Sequence, residues 1–275
     1  MPFSANDAAS ISKLLEKNGY SVILRTDSSA TLNNLEIDIN RISQIVNADD
    51  LFLFYFSGHG ISQGTMIEFG DNSTPEGYFS MLLYHKPVYS TITEYIKNSG
   101  LTKEKLNSLV GGIPCDVKCN IIDACYSGNL IDRIDVVDYT PANYDGLNDR
   151  IPDFTTIFQD ATHAYKENLL NNRANNSEIL TITSSGGNEI SWDGFFSHSV
   201  FTYFFLMSAE QGDLNGDGVI TSLESFSYTR AAFKKYWNTS NNDADWNYLP
   251  QITVGSEDII LFDHATIVNS SILAP

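Results

Sequence analysis

The stretch that decides the fold is L-F-L-F-Y-F, Leu51–Phe56, followed at once by S-G-H-G, Ser57–Gly60. Six successive apolar residues leave no polar face, which is typical of a parallel strand that helices cover on both sides. A second buried run, Val117–Ile122, also ends in a small polar turn, D-A-C-Y-S-G at Asp123–Gly128. We therefore expect two buried strands whose carboxyl ends carry a histidine and a cysteine.

Helical and strand patterns alternate around these two runs, which predicts an α/β fold with a mostly parallel sheet flanked by helices on both faces. The expected helices cover residues 6–18, 32–42, 101–110, 195–209 and 223–236. Further strands are expected at residues 20–24, 78–84 and 178–183. Residues 129–177 have little periodicity and are expected to form a long insertion with one helix near residues 161–170. No repeat or clear linker divides the chain, so residues 1–275 are expected to form one domain.

The charge balance limits the range of partners. There are 34 acidic residues and 16 basic ones, which gives a formal net charge of −18. This argues against nucleic acid or an anionic membrane and favours metal ions or basic peptides, although solubility alone accounts for many of the acids. No apolar run approaches the roughly 20 residues that span a bilayer. No secretory-signal pattern stands at the start, which leaves the compartment open.

A histidine and a cysteine at the ends of two buried strands have the arrangement that nucleophilic catalysis requires. In open α/β sheets, functional groups gather at the carboxyl ends of the strands. Glycines around His59 and Cys125 allow backbone N–H groups to approach a substrate closely. Either residue alone is more often structural, so the hypothesis depends on their equivalent positions. The other cysteines, Cys115 and Cys119, have no second ligand pair for zinc and are interpreted as structural thiols.

These motifs resemble those of the caspase-like cysteine peptidases, most closely the metacaspases and their bacterial relatives. The segments that carry the resemblance are S-A-N-D-A at Ser4–Ala8, S-G-H-G at Ser57–Gly60, D-A-C-Y-S-G at Asp123–Gly128, the strand end Thr183–Ser185 with the following Glu189–Ser191, and Y-L-P-Q at Tyr248–Gln251. They cover nearly the whole chain in the family's order. Family members usually have an apolar first strand before the N-D-A helix, and this sequence lacks one. Either another segment or residues outside this sequence would fill that position.

The resemblance implies a cysteine endopeptidase with a Cys–His dyad. By position, Cys125 corresponds to the nucleophile and His59 to the general base or acid. The N–H groups of Gly60 and Cys125 correspond to the oxyanion donors, and Ser184 and Glu189 to substrate-binding positions. The family has no obligatory third catalytic residue, so none is assigned.

The resemblance also implies a direction of specificity. In metacaspase-type relatives the acid of the N-D-A segment and the acid two residues before the nucleophile line the primary pocket, and here these are Asp7 and Asp123. Two carboxylates at one pocket floor would favour an Arg or Lys side chain of the substrate. The alternative for Asp7 is a capping role in the first turn of a helix, and the alternative for Asp123 is a strand-end cap.

A separate motif, Asp213–Glu224, matches a 12-residue EF-hand loop, with glycine at the sixth position and an apolar residue at the eighth. The alternative is a Gly-rich turn between helices that does not bind metal. A single loop favours a structural Ca²⁺ over a sensor that opens, with an activating role left open. The expected ligands are Asp213, Asn215, Asp217, the Val219 carbonyl, Thr221 and Glu224.

The long insertion occupies the place where caspase relatives are often cut during maturation from a zymogen. The candidate self-processing sites for an enzyme that prefers basic residues are Arg133, Arg150, Lys166 and Arg173. Three other functions stay open at this point: a catalytically silent scaffold, a calcium-binding interaction module, and a transpeptidase that uses the same thiolate.

Overall fold

The computed structural model describes residues 2–84, 91–131, 179–240, 246–253 and 258–263. The helices are α1 (Ser4–Lys17), α2 (Leu32–Ser43), α3 (Gln63–Glu68), α4 (Ile92–Ser99), α5 (Lys103–Gly111), α6 (Val200–Gln211) and α7 (Ser222–Ala232), with a π-helical stretch at Phe233–Asn238. The strands are β1 (Leu51–Ser57), β2 (Gly60–Ser62), β3 (Phe79–Leu82), β4 (Gly100–Thr102), β5 (Val117–Asp123), β6 (Leu180–Thr183), β7 (Asp193–Phe195), β8 (His198–Ser199), β9 (Val219–Thr221), β10 (Gln251–Ile252) and β11 (Ile260–Asp263).

The two runs expected to be buried form neighbouring strands of the central sheet. The strand order is β1-β5-β6-β10. β1, β5 and β6 run parallel to one another, and β10 pairs with β6 in the antiparallel direction. β1 and β5 are paired in step from Leu51 with Val117 to Ser57 with Asp123. The expectation of a mostly parallel α/β sheet is confirmed, and the two strands end side by side.

Both faces of the sheet are covered, as the apolar run predicts. Leu51, Leu53 and Tyr55 pack against the core that contains residues of α1, α6 and α7. Phe52 and Phe54 belong to a second core with residues of α2 and α5. Because successive side chains of a strand point to opposite faces, an all-apolar strand can serve two cores at once.

Apart from α1, which has no side-chain cap, the α-helices of the described chain begin at polar side chains that cap their first turns. The expected cap at Thr31 is confirmed, since the N–H of Asn34 donates to Thr31 Oγ1 at 3.2 Å. At the start of α6 the N–H of Thr202 donates to Ser199 Oγ at 3.1 Å. Such a bond satisfies one of the four N–H groups that a helix start leaves unpaired.

Two expected strands turn out differently. Residues 20–24 have no regular secondary structure and pair with no strand of the described chain. The run expected at residues 78–84 is β3, which belongs to a separate antiparallel sheet of order β2-β3-β4. An apolar run predicts a strand but not the sheet that it joins.

Most of the expected insertion lies outside the described residues. Within residues 129–177 only residues 129–131 are described, so the helix expected near residues 161–170 is among the undescribed ones. Within the described ranges, no helix has both the length and the apolar character needed to cross a bilayer.

Candidate active site

Two tight turns meet at the carboxyl ends of β1 and β5. The N–H of Gly58 donates to the carbonyl of Asp123 at 3.0 Å, and the carbonyl of His59 accepts from the N–H of Leu82 at 2.9 Å. A Cβ atom at Gly60 would overlap the carbonyl oxygen of Cys125. The backbone around His59 therefore contacts the backbone around Cys125 directly, and only glycine fits at position 60.

The turn that carries Cys125 is held by several backbone contacts. Tyr126 has a left-handed conformation, with a φ of 61°. Its N–H donates to the carbonyl of Glu189 at 2.8 Å. A Cβ atom at Gly128 would come within 2.5 Å of the Gly187 nitrogen. Sharply bent turns that many contacts hold in place often expose a reactive side chain at the edge of a sheet.

Burial disfavours the charged forms of both expected catalytic side chains. Cys125 is half-buried, and its thiol donates to the carbonyl of Ser191 at 3.6 Å. Burial is the main cause that raises the pKa of Cys125. His59 lies at the surface, yet partial desolvation lowers the pKa of its imidazole. At neutral pH the free protein therefore favours a neutral Cys125 thiol and a neutral His59 imidazole.

Asp7 lies in the first turn of α1 and is fully buried. Its carboxylate accepts hydrogen bonds from Ser57 Oγ at 2.8 Å and from the N–H of Ser199 at 3.2 Å. It also contacts Nδ1 of His198 at 2.9 Å. The capping alternative for Asp7 does not describe these contacts, because all three partners lie on other elements.

Asp123 is also fully buried and lies in the same network. Ser191 Oγ donates to it at 2.9 Å, Thr202 Oγ1 donates at 2.7 Å, and Ser199 Oγ donates as well. Burial and the neighbouring carboxylate of Asp7 raise the pKa of Asp123 to about 6. The structure thus brings together the two acids that the resemblance assigns to one pocket, although internal donors already contact both.

Ser184 and Glu189 support the cysteine turn. Ser184 is fully buried, and its Oγ accepts from the N–H of Ala124 at 3.1 Å. Glu189 Oε2 accepts from the N–H groups of Gly186 at 2.7 Å and Leu249 at 3.1 Å. Ser184, like Asp7 and Asp123, has no solvent-exposed surface in this structure, and its contact with substrate stays a prediction.

The contacts that His198, Ser199 and Thr202 make in this network were not predicted from the sequence. His198 follows Asp7 by 191 residues, and no spacing in the sequence connects them. The one available signal was that Ser199 stands where a cap should precede α6. Its side chain does cap that helix, and it also donates to Asp123.

A second candidate site is the loop 213–224, which joins α6 to α7. Gly218, at the sixth position of the motif, has a φ of 88°, and the seventh to ninth positions form β9. The N–H groups of Gly216 and Gly218 donate to the Asp213 carboxylate at 2.8 and 3.1 Å. Calcium binding by this loop stays a prediction.

The glutamate at the last position of the motif has one carboxylate oxygen without a hydrogen-bond partner in the described chain. Glu224 is buried, and its Oε2 accepts from the N–H of Thr221 at 2.9 Å. Its Oε1 is buried and has no hydrogen-bond partner in the described chain. Among the described residues, no three or more Cys, His, Asp or Glu side chains are grouped closely enough to hold a metal. The loop therefore has one carboxylate oxygen without a hydrogen-bond partner in the described chain. Its carboxylates are not grouped closely around one point.

Comparisons with known proteins agree with this fold. A family model described as the caspase domain matches residues 2–252. Protein GSU0716 from Geobacter sulfurreducens has a similar structure, with a TM-score of 0.53 and 17% identity over 92% of this chain and 84% of that one. Caspase-1 from Spodoptera frugiperda aligns with a TM-score of 0.47 and 16% identity over 94% of this chain and 80% of that one. No curated protein matches the sequence.

Proposed function

The chain belongs to the caspase-domain family, and from this premise we propose that it is a cysteine endopeptidase that cleaves after Arg or Lys. The observation that carries the proposal is the in-step pairing of Ser57 with Asp123. Ser57 and Asp123 are the last residues of two parallel strands at one edge of the sheet. The residues two positions further on, His59 and Cys125, therefore lie on adjoining turns.

The reaction begins with a proton transfer inside this pair. His59 takes the proton from the Cys125 thiol, and the sulfur attacks the carbonyl carbon of the substrate. The N–H groups of Gly60 and Cys125 donate to the oxyanion. The C–N bond then breaks, and the amine leaves with the proton that His59 held. Water, deprotonated by His59, hydrolyses the thioester and restores the thiol; an amine in place of water gives transpeptidation.

The preference for a basic side chain rests on Asp7 and Asp123. Both carboxylates are fully buried, and Ser199 donates to both. Their mutual repulsion makes a cation the favoured ligand, because a guanidinium or ammonium group would donate hydrogen bonds and neutralise charge at once. His198 contacts Asp7 in the free protein, so a substrate side chain has to replace it.

The test uses four fluorogenic peptides that are identical except for a final Arg, Lys, Gln or Asp. We expect kcat/KM for the Arg and Lys peptides to exceed that of the Gln peptide at least tenfold, with no turnover by Cys125→Ala. Asp7→Asn should shrink the ratio between Arg and Gln, whereas Asp49→Asn, at an exposed position before β1, should leave it unchanged. Preferential cleavage of the Asp peptide would overturn the specificity. Absence of turnover and of thiol labelling at Cys125 would favour a silent scaffold.

Binding of Ca²⁺ by the loop 213–224 is a second proposed function. It is supported by the buried, unpaired Oε1 of Glu224 at the position where EF-hand loops use a bidentate glutamate. An uncompensated buried carboxylate oxygen is costly, and a cation would satisfy it. The residues that would hold the ion are Asp213, Asn215, Asp217, the Val219 carbonyl, Thr221 and Glu224. The role we assign to the ion is to fix α7 relative to α6.

Melting in Ca²⁺ and in chelator tests this second proposal. An ion bound only by the folded chain at about 100 times its Kd adds about 2.7 kcal/mol to the unfolding free energy. Glu224→Gln should remove that increment, and Glu16→Gln, at an exposed position on α1, should keep it. The same melting temperature in Ca²⁺, Mg²⁺ and chelator would contradict the proposal.

Self-processing is a further part of the proposed activity. Arg133, Arg150, Lys166 and Arg173 all lie outside the described residues. Wild-type protein should break into fragments at one or more of these sites, while Cys125→Ala should stay a single 30.6 kDa chain. If both stay intact while peptides are hydrolysed, the processing proposal is wrong and the peptidase proposal stands.

A further inference from the structure

The acid pocket, defined by the carboxylates of Asp7 and Asp123, lies next to the expected nucleophile. Ser191 joins the two, because its carbonyl accepts from the Cys125 thiol at 3.6 Å and its hydroxyl donates to Asp123 at 2.9 Å. Asp7 and Asp123 also share Ser199 as a donor. A substrate side chain beside the cleaved bond would therefore have both acids within reach.

The acid pocket is closed in the free protein. Asp7 and Asp123 have no exposed surface. Polar groups of the described chain contact all four carboxylate oxygens, and these groups belong to Ser57, Ser191, His198, Ser199 and Thr202. A guanidinium or ammonium group can bind the two acids only after one of these groups has moved away.

His198 is the group whose departure makes room for a cation. The other contacts are made by hydroxyls and by a backbone N–H, and the Ser199 hydroxyl is also needed to cap α6. The imidazole of His198 is a planar ring with an N–H group, similar in size to a guanidinium, and its Nδ1 lies 2.9 Å from Asp7 Oδ1. The His198 side chain is 10% exposed, whereas that of Asp7 is 0% exposed. The ring, unlike the carboxylate, therefore reaches solvent.

The backbone that carries His198 is strained. His198 follows the two-residue turn of the β7–β8 hairpin, in which Phe196 and Ser197 have φ values of 49° and 64°. Asn and Gly are the usual residues at such positions, and strain of this kind persists where neighbouring contacts hold it. Contacts with α1 help to hold this turn, since Asn6 Nδ2 donates to the Ser197 carbonyl at 2.7 Å and Asp7 contacts His198. A cation that takes over Asp7 removes the second of these contacts.

We propose that His198 is an internal competitor of the substrate, whose imidazole occupies the position of the Arg or Lys side chain in the free protein. The inference rests on the proposed basic preference and names the residue that weakens binding at that site. Only molecules with a displaced His198 bind the cation, so the apparent affinity is lowered by the fraction of such molecules. His198 takes no part in the steps after binding, so its removal lowers KM and leaves kcat unchanged.

The test measures the binding of a tetrapeptide amide that ends in arginine, and of the same peptide ending in citrulline, the uncharged isostere. The full chain carries Cys125→Ala, which prevents turnover. We expect His198→Ala to lower the Kd of the arginine peptide at least fivefold in titration calorimetry. His198→Asn keeps an N–H donor two bonds from Cβ, as Nδ1 is, and should stay within about twofold of the unsubstituted pocket. Lys13→Ala removes an exposed charge from α1 and is the control for net charge, so it should leave the Kd unchanged.

A second measurement leaves His198 in place and does not depend on the folding of a pocket variant. Diethyl pyrocarbonate modifies accessible imidazoles, and His198 is buried in the free protein. The arginine peptide at saturation should speed the modification of His198 at least threefold, as read by mass spectrometry. The citrulline peptide at the same concentration should not.

The possible outcomes separate this inference from the proposed function. Equal affinity of the arginine peptide with and without His198→Ala would overturn the inference and leave the basic preference standing. Weaker binding by His198→Ala would also overturn it, because His198 would then hold the acid pocket in shape. Unchanged or slower modification of His198 in the presence of the arginine peptide would do the same. If the arginine and citrulline peptides bind alike to both proteins, the basic preference is wrong and the inference fails with it.

Discussion

Burial acts on His59 and Cys125 in a way that bears on the order of events in the proposed reaction. It lowers the pKa of the imidazole and raises the pKa of the thiol. Both shifts work against a preformed thiolate and imidazolium pair. In the proposed reaction, His59 of the free protein would therefore be a proton acceptor, and the thiolate would form only as the substrate is attacked.

The pH dependence of thiol alkylation tests this order. Because the pKa of Cys125 is raised, its alkylation by iodoacetamide should be slow at pH 7 and should increase up to and beyond pH 9. Cys115 and Cys119 are buried, and Cys125→Ala measures the background alkylation of these two thiols. A plateau of fast alkylation between about pH 5 and 8, as a thiolate paired with imidazolium gives, would contradict the expectation.

Asp123 makes stability depend on pH. Its folded-state pKa of about 6 lies above that of an unfolded aspartate, so the folded chain binds the proton more tightly. The stabilisation is full below about pH 4 and is lost as the pH rises through 6. Relative to Asp123→Asn, wild-type protein should lose about 3 kcal/mol of unfolding free energy between pH 4 and 8.

Urea denaturation of both proteins across this pH range measures the difference. Asp49→Asn, which changes an exposed carboxylate, should differ from wild type by less than about 0.5 kcal/mol at every pH. A constant difference between wild type and Asp123→Asn would mean that Asp123 does not titrate in this range.

The elements that carry the site depend on close backbone packing. Gly128 stands in the turn after β5 and faces Gly186 and Gly187, which follow β6. Because the obstacle at position 128 is backbone, Gly128→Ala has no flexible side chain to displace. Overpacking of this kind costs typically about 1–3 kcal/mol, so we expect a loss of that size.

Gly111→Ala is the matched control for that substitution. Gly111 ends α5, and a Cβ atom there would meet nothing within 4 Å. An alanine in a helix is favoured over glycine by up to about 1 kcal/mol, so the control should be neutral or stabilising. Equal effects of the two substitutions in urea denaturation would contradict the packing argument.

The sequence predicted individual elements better than their partners. β1 was predictable because strands buried on both faces are apolar throughout, and β5 because its run ends in a small polar turn, as β1 does. Residues 20–24 have the pattern of a strand, but a ladder also requires a neighbour, and the pattern does not encode one. At the candidate site, motifs identified His59, Cys125, Asp7 and Asp123 as candidates. His198 was not, because its contact with Asp7 arises only when α1 and the β7–β8 hairpin come together.

At the scale of the whole molecule, the net charge acts on the approach of charged molecules. A net charge of −18 produces a negative potential around the protein. If the proposed basic specificity holds, this potential raises the encounter rate with cationic substrates before any pocket contact forms. Long-range attraction and pocket chemistry can be separated, because salt screens only the former strongly.

Salt dependence of kcat/KM tests this attraction. Two peptides are compared that both end in Arg at the cleaved bond and differ only in carrying two Lys or two Glu residues at distant positions. Raising the ionic strength from about 0.01 to 0.15 M shortens the screening length from about 30 to about 8 Å. We expect kcat/KM to fall several-fold for the Lys peptide and to rise for the Glu peptide, with the ratio of kcat values unchanged. Equal salt dependence of the two peptides would mean that the net charge serves solubility and has no part in substrate capture.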